Sequence, residues 1–262
     1  MCPMRRSPLA LVLLLTALVG CAAPSPSPSA ASAQPVASRS PLFTLSPTPN
    51  VTPAPAETSL PSISPPAPSA PGVPLTLSQL LEMLATAPED RSGYDRALFR
   101  HWIDADGDGC NTRREVLVDE AVVPPTVGGG CSLFGGQWLS AYDGLVLTDA
   151  GALDIDHVVA LAEAWDSGAS AWSQERRMRF ANDVDVSWAL IAVSAASNRS
   201  KGDKDPADWL PPDAGDLCPF VSAWIAVKAR WGLTADQREL DALTGLVAEC
   251  PGARMSLAPA DQ

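Results

Sequence analysis

Residues 153–169 read LDIDHVVALAEAWDSGA and contain His157, one of only two histidines in this chain of 262 residues. Asp154 and Asp156 alternate with apolar residues just before this histidine, in a run typical of a strand. Because side chains alternate between the two faces of a strand, both carboxylates are predicted to point to one side. Either a structural ion pair or a metal-dependent active site accounts for an imidazole in this setting.

A second polar stretch follows another apolar, strand-like segment. Residues 193–211 read VSAASNRSKGDKDPADWLP and place Asn198, Arg199, Lys201 and Lys204 within one or two turns. Taken alone, such a charged run usually indicates the solvated start of a helix. Together with the Asp-His pair, in this order and with a helix-forming insertion between them, it is a more specific indication of chemistry.

The N-terminal part of the chain has the pattern of an export signal and a tether. Residues 1–20 have a short basic start and a short apolar run, which predicts a secretory signal; a membrane-spanning helix is the alternative, but it needs about 20 apolar residues. The sequence LVGC at residues 18–21 resembles the bacterial lipobox, so Cys21 is predicted to be lipidated. We therefore expect an exported protein that is lipid-anchored to the outer face of the cell membrane, with its domain extracellular or periplasmic.

Composition divides the rest of the chain into a linker, one domain and a tail. Residues 21–74 are mostly Pro, Ser, Ala and Thr, which bury too little apolar surface to offset the entropy lost on ordering, so a disordered linker is predicted. Residues 75–255 are enough for one domain with a substantial core, and residues 256–262 are expected to be a flexible tail. The net charge of −12 argues against broad electrostatic attraction to nucleic acid but leaves room for a local basic cleft.

Four cysteines remain in the predicted domain, namely Cys110, Cys131, Cys218 and Cys250. An even number in an exported protein indicates disulfides, and four cysteines allow three pairings. We favour Cys110–Cys131 and Cys218–Cys250 because both are local. A zinc site is the alternative, but no C-x-x-C or histidine-paired spacing supports it.

Hydrophobic spacing predicts an α+β fold class: a helix-rich single domain with a small antiparallel hairpin. Helices are predicted within residues 76–84, 92–103, 170–183, 195–212, 219–233 and 234–250, strands within 135–159 and at 188–194, and either state at 115–123. Thr76 or Ser78 and Thr234 are the expected N-caps of the first and last helices. Trp224, Trp231, Leu240 and Leu243 are expected in the core.

The two polar stretches, residues 153–169 and 193–211, together resemble a known family. DIDHVV followed by NRSKGDKDP resembles the HNH, or His-Me finger, nuclease motif, in which a ββα unit binds one divalent metal. More closely, the span from about residue 94 to 250 resembles secreted proteins that carry the C-terminal domain of GmrSD-type restriction endonucleases. The matching pieces are DGDGCNTRREVL, YDG, DIDHVVALAEAWDSGA, FAND, VSAASNRSKGDKDPADWLPP and WIAVKARWGL. Residues 183–194 are less regular than the family pattern.

The resemblance implies a ββα-metal unit that hydrolyses phosphodiester bonds of nucleic acid. DNA is the expected substrate, and RNA is the alternative. His157 would be the general base that activates water, and Asp156 and Asn198 would hold one Mg²⁺ or Mn²⁺. Asp154 would support these ligands, and Lys201, with Arg199 or Lys204, would contact the phosphate. His101 is expected to be a packed or capping histidine.

Residues 104–115 read DADGDGCNTRRE and fit the calcium-loop pattern D-x-[DN]-x-[DN]-G-x5-E. The oxygen-ligand positions are occupied by Asp104, Asp106, Asp108 and Glu115. The alternative is a structural turn that presents Arg113 toward the phosphate site. For the whole chain, the alternative to a monomeric nuclease is a catalytically inactive surface lipoprotein, stabilised by calcium and disulfides, that binds a partner.

Overall fold

A computed structural model describes residues 73–258 and residue 260. The predicted signal peptide, the lipidated Cys21 and the linker up to residue 72 lie outside the described residues. Within the described range, no helix has the length and apolar character needed to cross a membrane.

The described chain forms seven α-helices and eight short strands, and the strands pair antiparallel as four two-stranded sheets. The helices are α1 (Leu77–Leu81), α2 (Thr112–Asp119), α3 (Leu161–Asp166), α4 (Gln174–Ala181), α5 (Ala195–Lys201), α6 (Leu217–Trp231) and α7 (Gln237–Glu249). The strands are β1 (Leu75–Thr76), β2 (Thr126–Gly128), β3 (Ser132–Phe134), β4 (Trp138–Leu139), β5 (Val146–Leu147), β6 (Leu153–His157), β7 (Leu190–Ser194) and β8 (Arg254–Met255). The pairs are β1–β8, β2–β3, β4–β5 and β6–β7. The predicted mixed α+β class is confirmed.

The hairpin of β6 and β7 carries both polar stretches and leads directly into α5. Its register runs from Leu153 opposite Ser194 to His157 opposite Leu190. Ser194 ends β7 and caps α5, because its hydroxyl accepts a hydrogen bond from the Ser197 backbone N–H at 3.1 Å. The helix therefore starts without a loop and lies against β6.

Two clusters of buried apolar side chains fix this hairpin. The smaller contains Val116, Leu117, Trp138, Leu153, Ile155, Leu190 and Ala192. The larger includes the inner faces of α1, α6 and α7, where the predicted core residues Trp224, Trp231 and Leu243 are buried and Leu240 is half-buried. Burying one such side chain stabilises the fold by about 1.5–3 kcal/mol.

A fully buried lysine ties α3, α6 and α7 together. The Lys228 ammonium of α6 lies 2.8 Å from a Glu163 oxygen of α3 and 2.5 Å from a Glu239 oxygen of α7. Buried charges are tolerated where they are paired and hydrogen-bonded, and here Ser167 and the Thr234 carbonyl complete the contacts. This network fixes the position of α3, whose first residues border the candidate site.

Both predicted disulfides are confirmed. Cys110 is bonded to Cys131, and Cys218 to Cys250, with Cα–Cα separations of 5.0 and 5.5 Å. The first bond joins the end of the acidic loop, the aspartate-rich segment at residues 104–109, to the β2–β3 hairpin. The second joins the start of α6 to the end of α7.

Three local predictions were wrong. The predicted helix over residues 92–103 is only a short 3₁₀ turn, Arg96–Leu98, because its spaced apolar side chains pack into an aromatic cluster from an irregular backbone. The helix predicted within residues 195–212 ends at Lys201, because the next residue, Gly202, has a φ of 59°. The N-cap of α7 is Asp236, because the Thr234 hydroxyl instead donates to the Ser167 carbonyl.

Candidate active site

A cleft of about 300 Å³ opens at the end of β6 beside α5. Asp156, His157 and Asn198 all line it, so these three residues from the two polar stretches meet in one place. Asp203 and one cation, Arg96, also line the cleft. The hairpin register and the direct start of α5 are what bring Asn198 across from Asp156.

Asp156 is anchored through a single carboxylate oxygen. Its Oδ2 accepts a hydrogen bond from the Tyr142 hydroxyl at 2.6 Å and lies 2.7 Å from the Lys201 ammonium. Burial, and then the charge of Asp156, raise the pKa of Tyr142 well above its usual value, so this hydroxyl keeps its proton and donates it. Oδ1 has no hydrogen-bond partner among residues 73–258 and 260, and Asp156 is one of the residues that line the cleft.

A contact of one ring nitrogen, Nε2, holds His157 in a single orientation. Nε2 lies 3.0 Å from the Ala181 carbonyl oxygen, which can only accept, so Nε2 carries the hydrogen. The neutral ring therefore has its lone pair on Nδ1. The imidazole lies between two aromatic rings, with centroid distances of 5.4 Å to Trp102 and 6.4 Å to Phe180.

The same surroundings keep His157 neutral. Burial is the main cause that lowers its pKa from 6.5 to about 3, and the positive charges of Arg96 and Lys201 act in the same direction. The hydrogen bond to Ala181 opposes these effects. Across the physiological range the ring is a base without a proton on Nδ1.

This buried, neutral histidine predicts a pH dependence of stability. Below pH 6.5 the unfolded chain binds a proton at His157 that the folded chain excludes until about pH 3, so this group makes folding less favourable as the pH falls through that window. The free energy of unfolding of the wild type, minus that of His157→Asn, should fall by up to about 1.4 kcal/mol per pH unit below 6.5. Urea denaturation of both proteins from pH 4 to 8 measures the difference. A difference that stays constant over this range would contradict the prediction.

Asn198 is oriented by Asp154. The Asn198 amide Nδ2 donates to an Asp154 carboxylate oxygen at 3.0 Å. Because an amide that donates through nitrogen presents its oxygen elsewhere, Asn198 Oδ1 remains free, with no partner in the described part of the chain. Asp154 thus does not border the cleft itself but fixes a residue that does.

Lys201 lies where the sequence did not predict it. It was expected to contact the phosphate, but its side chain is fully buried and its ammonium is 3.0 Å from the His157 carbonyl oxygen as well as paired with Asp156. A lysine at i+3 from Asn198 reaches back under β6 instead of out into the cleft. Its contacts fix the backbone and one carboxylate of the site.

The other predicted phosphate contacts also lie away from the cleft. Arg113 donates to the carbonyl oxygens of Ala150 and Leu153 and so supports the start of β6, which corrects the expectation that it points to the phosphate site. Arg199 and Lys204 are exposed and do not line the cleft, and the Lys204 ammonium donates to the Ser200 carbonyl.

Three residues near the site were missed by the sequence reasoning. Arg96 borders the cleft, Tyr142 anchors Asp156, and Trp102 stacks on His157 with a left-handed φ of 57°. The spacing that predicted a helix over residues 92–103, which include Trp102, was the misleading signal. His101, as expected, is a packed residue, half-buried with Nδ1 2.9 Å from the Phe99 carbonyl oxygen.

The acidic loop before α2 gathers three carboxylates without a neighbouring cation. Oxygens of Asp104, Asp106 and Asp108 lie within 4.8 Å of one another, all three residues are exposed, and none forms a salt bridge with another described residue. Glu115 lies in the first turn of α2, and burial, followed by the charges of these aspartates, raises its pKa. The loop therefore brings together three of the four predicted calcium ligands, and the fourth, Glu115, follows in the first turn of α2.

Two further acidic groups share Glu89 and differ from the loop in being paired. Glu89 groups with Asp205 and Asp236 on one side and with Glu163 and Asp166 on the other. Arg91 pairs with Asp166, Arg238 with Asp205, and Lys228 with Glu163. Each of the two groups therefore contains at least one carboxylate that is already paired with a lysine or arginine.

Comparisons with known proteins bear on this region. Residues 133–246 match the family described as GmrSD restriction endonucleases, C-terminal domain, a range that contains β6, β7 and α5. A relative from Arthroderma benhamiae (strain ATCC MYA-4681 / CBS 112371), described as an uncharacterized secreted protein, is 40% identical over 188 residues, or 71% of this chain and 91% of the relative. No solved structure matches this chain.

Proposed function

Because this chain belongs to the family of the GmrSD restriction endonuclease C-terminal domain, we propose that it is a metal-dependent endonuclease of the HNH type. In this proposal β6, β7 and α5 form the ββα unit, and the substrate is nucleic acid, with DNA preferred over RNA because of the family's restriction enzymes. The protein is proposed to act as a monomer.

One observation carries the proposal. Three side chains that line one cleft each have one polar atom fixed by a partner and the other free: Asp156 through Tyr142 and Lys201, Asn198 through Asp154, and His157 through the Ala181 carbonyl. Partners of this kind set the orientation of metal ligands and of catalytic bases in enzymes. A solely structural ion pair would not need a free imidazole nitrogen in a cleft.

The donor atoms fit a small divalent cation. Asp156 Oδ1 and Asn198 Oδ1 are hard oxygen ligands, which suit Mg²⁺ or Mn²⁺ and leave room for water and a phosphate oxygen. When bound, such an ion stabilises negative charge on the phosphate and on the leaving oxygen. Asp154, through Asn198, and Lys201, through Asp156, keep the two ligand oxygens turned to the cleft.

His157 supplies the base. Its Nδ1 accepts the proton of the attacking water while Nε2 stays bonded to the Ala181 carbonyl, so the ring does not need to turn during the reaction. Its lowered pKa keeps the ring unprotonated at physiological pH. The imidazolium that forms then releases its proton to solvent, which restores the neutral base.

The function is tested by incubating the full chain, with its disulfides intact, with supercoiled plasmid and single-stranded oligonucleotides. Cleavage with Mg²⁺ or Mn²⁺ that stops in chelator is expected. A folded protein that cuts neither substrate in either metal would support the inactive surface module instead.

The proposed setting is outside the cell membrane. We propose that residues 1–20 are removed, that Cys21 carries lipid, and that residues 21–74 tether a domain of residues 75–255, followed by a tail at 256–262. Both disulfides favour an oxidising compartment, and the similar fungal protein is described as secreted.

We also propose that the acidic loop binds Ca²⁺ through Asp104, Asp106, Asp108 and Glu115. Calcium at about 100 times its dissociation constant would add about 2.7 kcal/mol to the free energy of unfolding. Thermal denaturation of the full chain should therefore show a higher Tm with Ca²⁺, and Asp106→Asn should lose most of this shift. Asp241→Asn, at an exposed aspartate of α7, is the matched control and should keep it. Equal shifts in both variants would remove the loop as the binding site.

A further inference from the structure

The charge of the cleft depends on one arginine. Arg96 is the only lysine or arginine among the described residues that line the cleft beside Asp156, His157 and Asn198. It is exposed, and it forms no salt bridge within residues 73–258 and 260.

The neighbouring charges are already paired. Asp203, which is the exposed acid among the described residues that line the cleft, lies 2.5 Å from Arg91, which also binds Asp166. Lys201 is held by Asp156, and Arg113 by backbone carbonyls. Arg96 is therefore the uncompensated cation of the cleft.

The backbone that carries Arg96 is anchored to the same cluster as His157. The Asp95 carboxylate accepts from the Ala97 N–H at 2.8 Å and so caps the 3₁₀ turn Arg96–Leu98. Phe99 follows, fully buried, with its ring centroid 6.2 Å from that of Phe180, and Phe180 stacks on His157. A fixed backbone with an exposed guanidinium suits recognition of a bound anion.

We propose that Arg96 binds a backbone phosphate of the nucleic-acid substrate at this cleft, the role that the sequence had assigned to Lys201. The inference rests on the proposed nuclease function. A guanidinium donates two parallel hydrogen bonds to a phosphate, which gives orientation as well as attraction. In a chain with a net charge of −12, one local cation at the cleft counts for more than it would in a basic protein.

The test measures binding apart from cleavage. The full chain carrying His157→Asn is titrated against a fluorescently labelled DNA oligonucleotide in Mg²⁺, and anisotropy is read at several salt concentrations. Adding Arg96→Gln should weaken binding on the order of tenfold or more, and lower the salt slope by about one. With Arg96→Lys in place of Arg96→Gln, the affinity for DNA should lie between that of the His157→Asn parent and that of the Arg96→Gln variant. Arg100→Gln, at an exposed arginine outside the cleft, is the matched control and should change the affinity by less than about threefold.

The outcomes separate the two proposals. If the parent protein binds DNA and the wild type cuts it, but Arg96→Gln binds as Arg100→Gln does, the assignment of Arg96 is wrong and the nuclease stands. If the wild type neither binds nor cuts nucleic acid, the nuclease proposal fails and the role of Arg96 fails with it. A loss confined to Arg96→Gln, with an unchanged Tm, supports the assignment.

Discussion

Replacing His157 by asparagine is expected to reduce metal-dependent cleavage by about 10²- to 10⁴-fold, the range that a general base contributes. Asparagine keeps an amide N–H for the Ala181 carbonyl but has no nitrogen that accepts a proton near neutral pH. The loss should appear in kcat, with little change in KM, because the base acts on water in the transition state and does not hold the substrate. Initial rates of plasmid nicking at saturating Mg²⁺ measure it.

The second histidine provides the control. His101 is half-buried, its ring centroid lies 6.4 Å from that of His157, and its Nδ1 lies 2.9 Å from the Phe99 carbonyl oxygen. His101→Asn should leave kcat within a few-fold of the wild-type value. Equal losses in both variants, or a His157→Asn protein that cuts at the wild-type rate, would show that His157 is not the base.

Replacing Lys201 by methionine is expected to lower the free energy of unfolding by about 3–5 kcal/mol, because it leaves a buried carboxylate without its cation. Lys201 is fully buried and its ammonium lies 2.7 Å from Asp156 Oδ2, so methionine leaves this oxygen without its charged partner. The same change removes a positive charge 2.7 Å from Asp156 Oδ2, and should strengthen Mn²⁺ binding because that charge repels the ion. Urea denaturation in chelator measures the stability, and titration with Mn²⁺ measures the affinity.

A second substitution separates charge from packing. Asp156→Asn removes the negative charge while its carbonyl oxygen can still accept from Tyr142. In the double variant Lys201→Met/Asp156→Asn, the total loss should be smaller than the sum of the single losses by about 0.5–3 kcal/mol. Lys204→Met, at an exposed lysine, should change stability by no more than about 0.5 kcal/mol. If Lys201→Met is as stable as Lys204→Met but has a raised KM, Lys201 contacts substrate after all.

Much of the frame follows from local patterns in the sequence. Alternation around Asp154 and Asp156 predicted β6, the apolar run at 188–194 predicted β7, and the two local disulfides were predicted from spacing. The two strands depend on residues that are close to one another in the sequence. The two disulfides each close a short loop. The meeting of Asp156, His157 and Asn198 in one cleft follows from the same hairpin, since β7 leads directly into α5.

The features that escaped prediction depend on long-range contacts. Lys201 was expected outside because a lysine usually faces solvent, and nothing local indicates that it reaches Asp156 across the hairpin. Tyr142 lies in the loop between β4 and β5, and its bond to Asp156 exists only in the folded chain. The helix predicted over residues 92–103 does not form, because tertiary packing outweighs helix propensity: Phe99 packs against Phe180 and Trp165, and Trp102 stacks on His157.

The proposed metal site is tested most directly by a crystal structure of the chain soaked in Mn²⁺, with the ion located by anomalous scattering. We expect one peak in the cleft, with Asp156 Oδ1 and Asn198 Oδ1 both at about 2.0–2.3 Å from the ion and Lys201 still on Oδ2. Manganese found only at the acidic loop, with Asp156 and Asn198 both unligated, would contradict it.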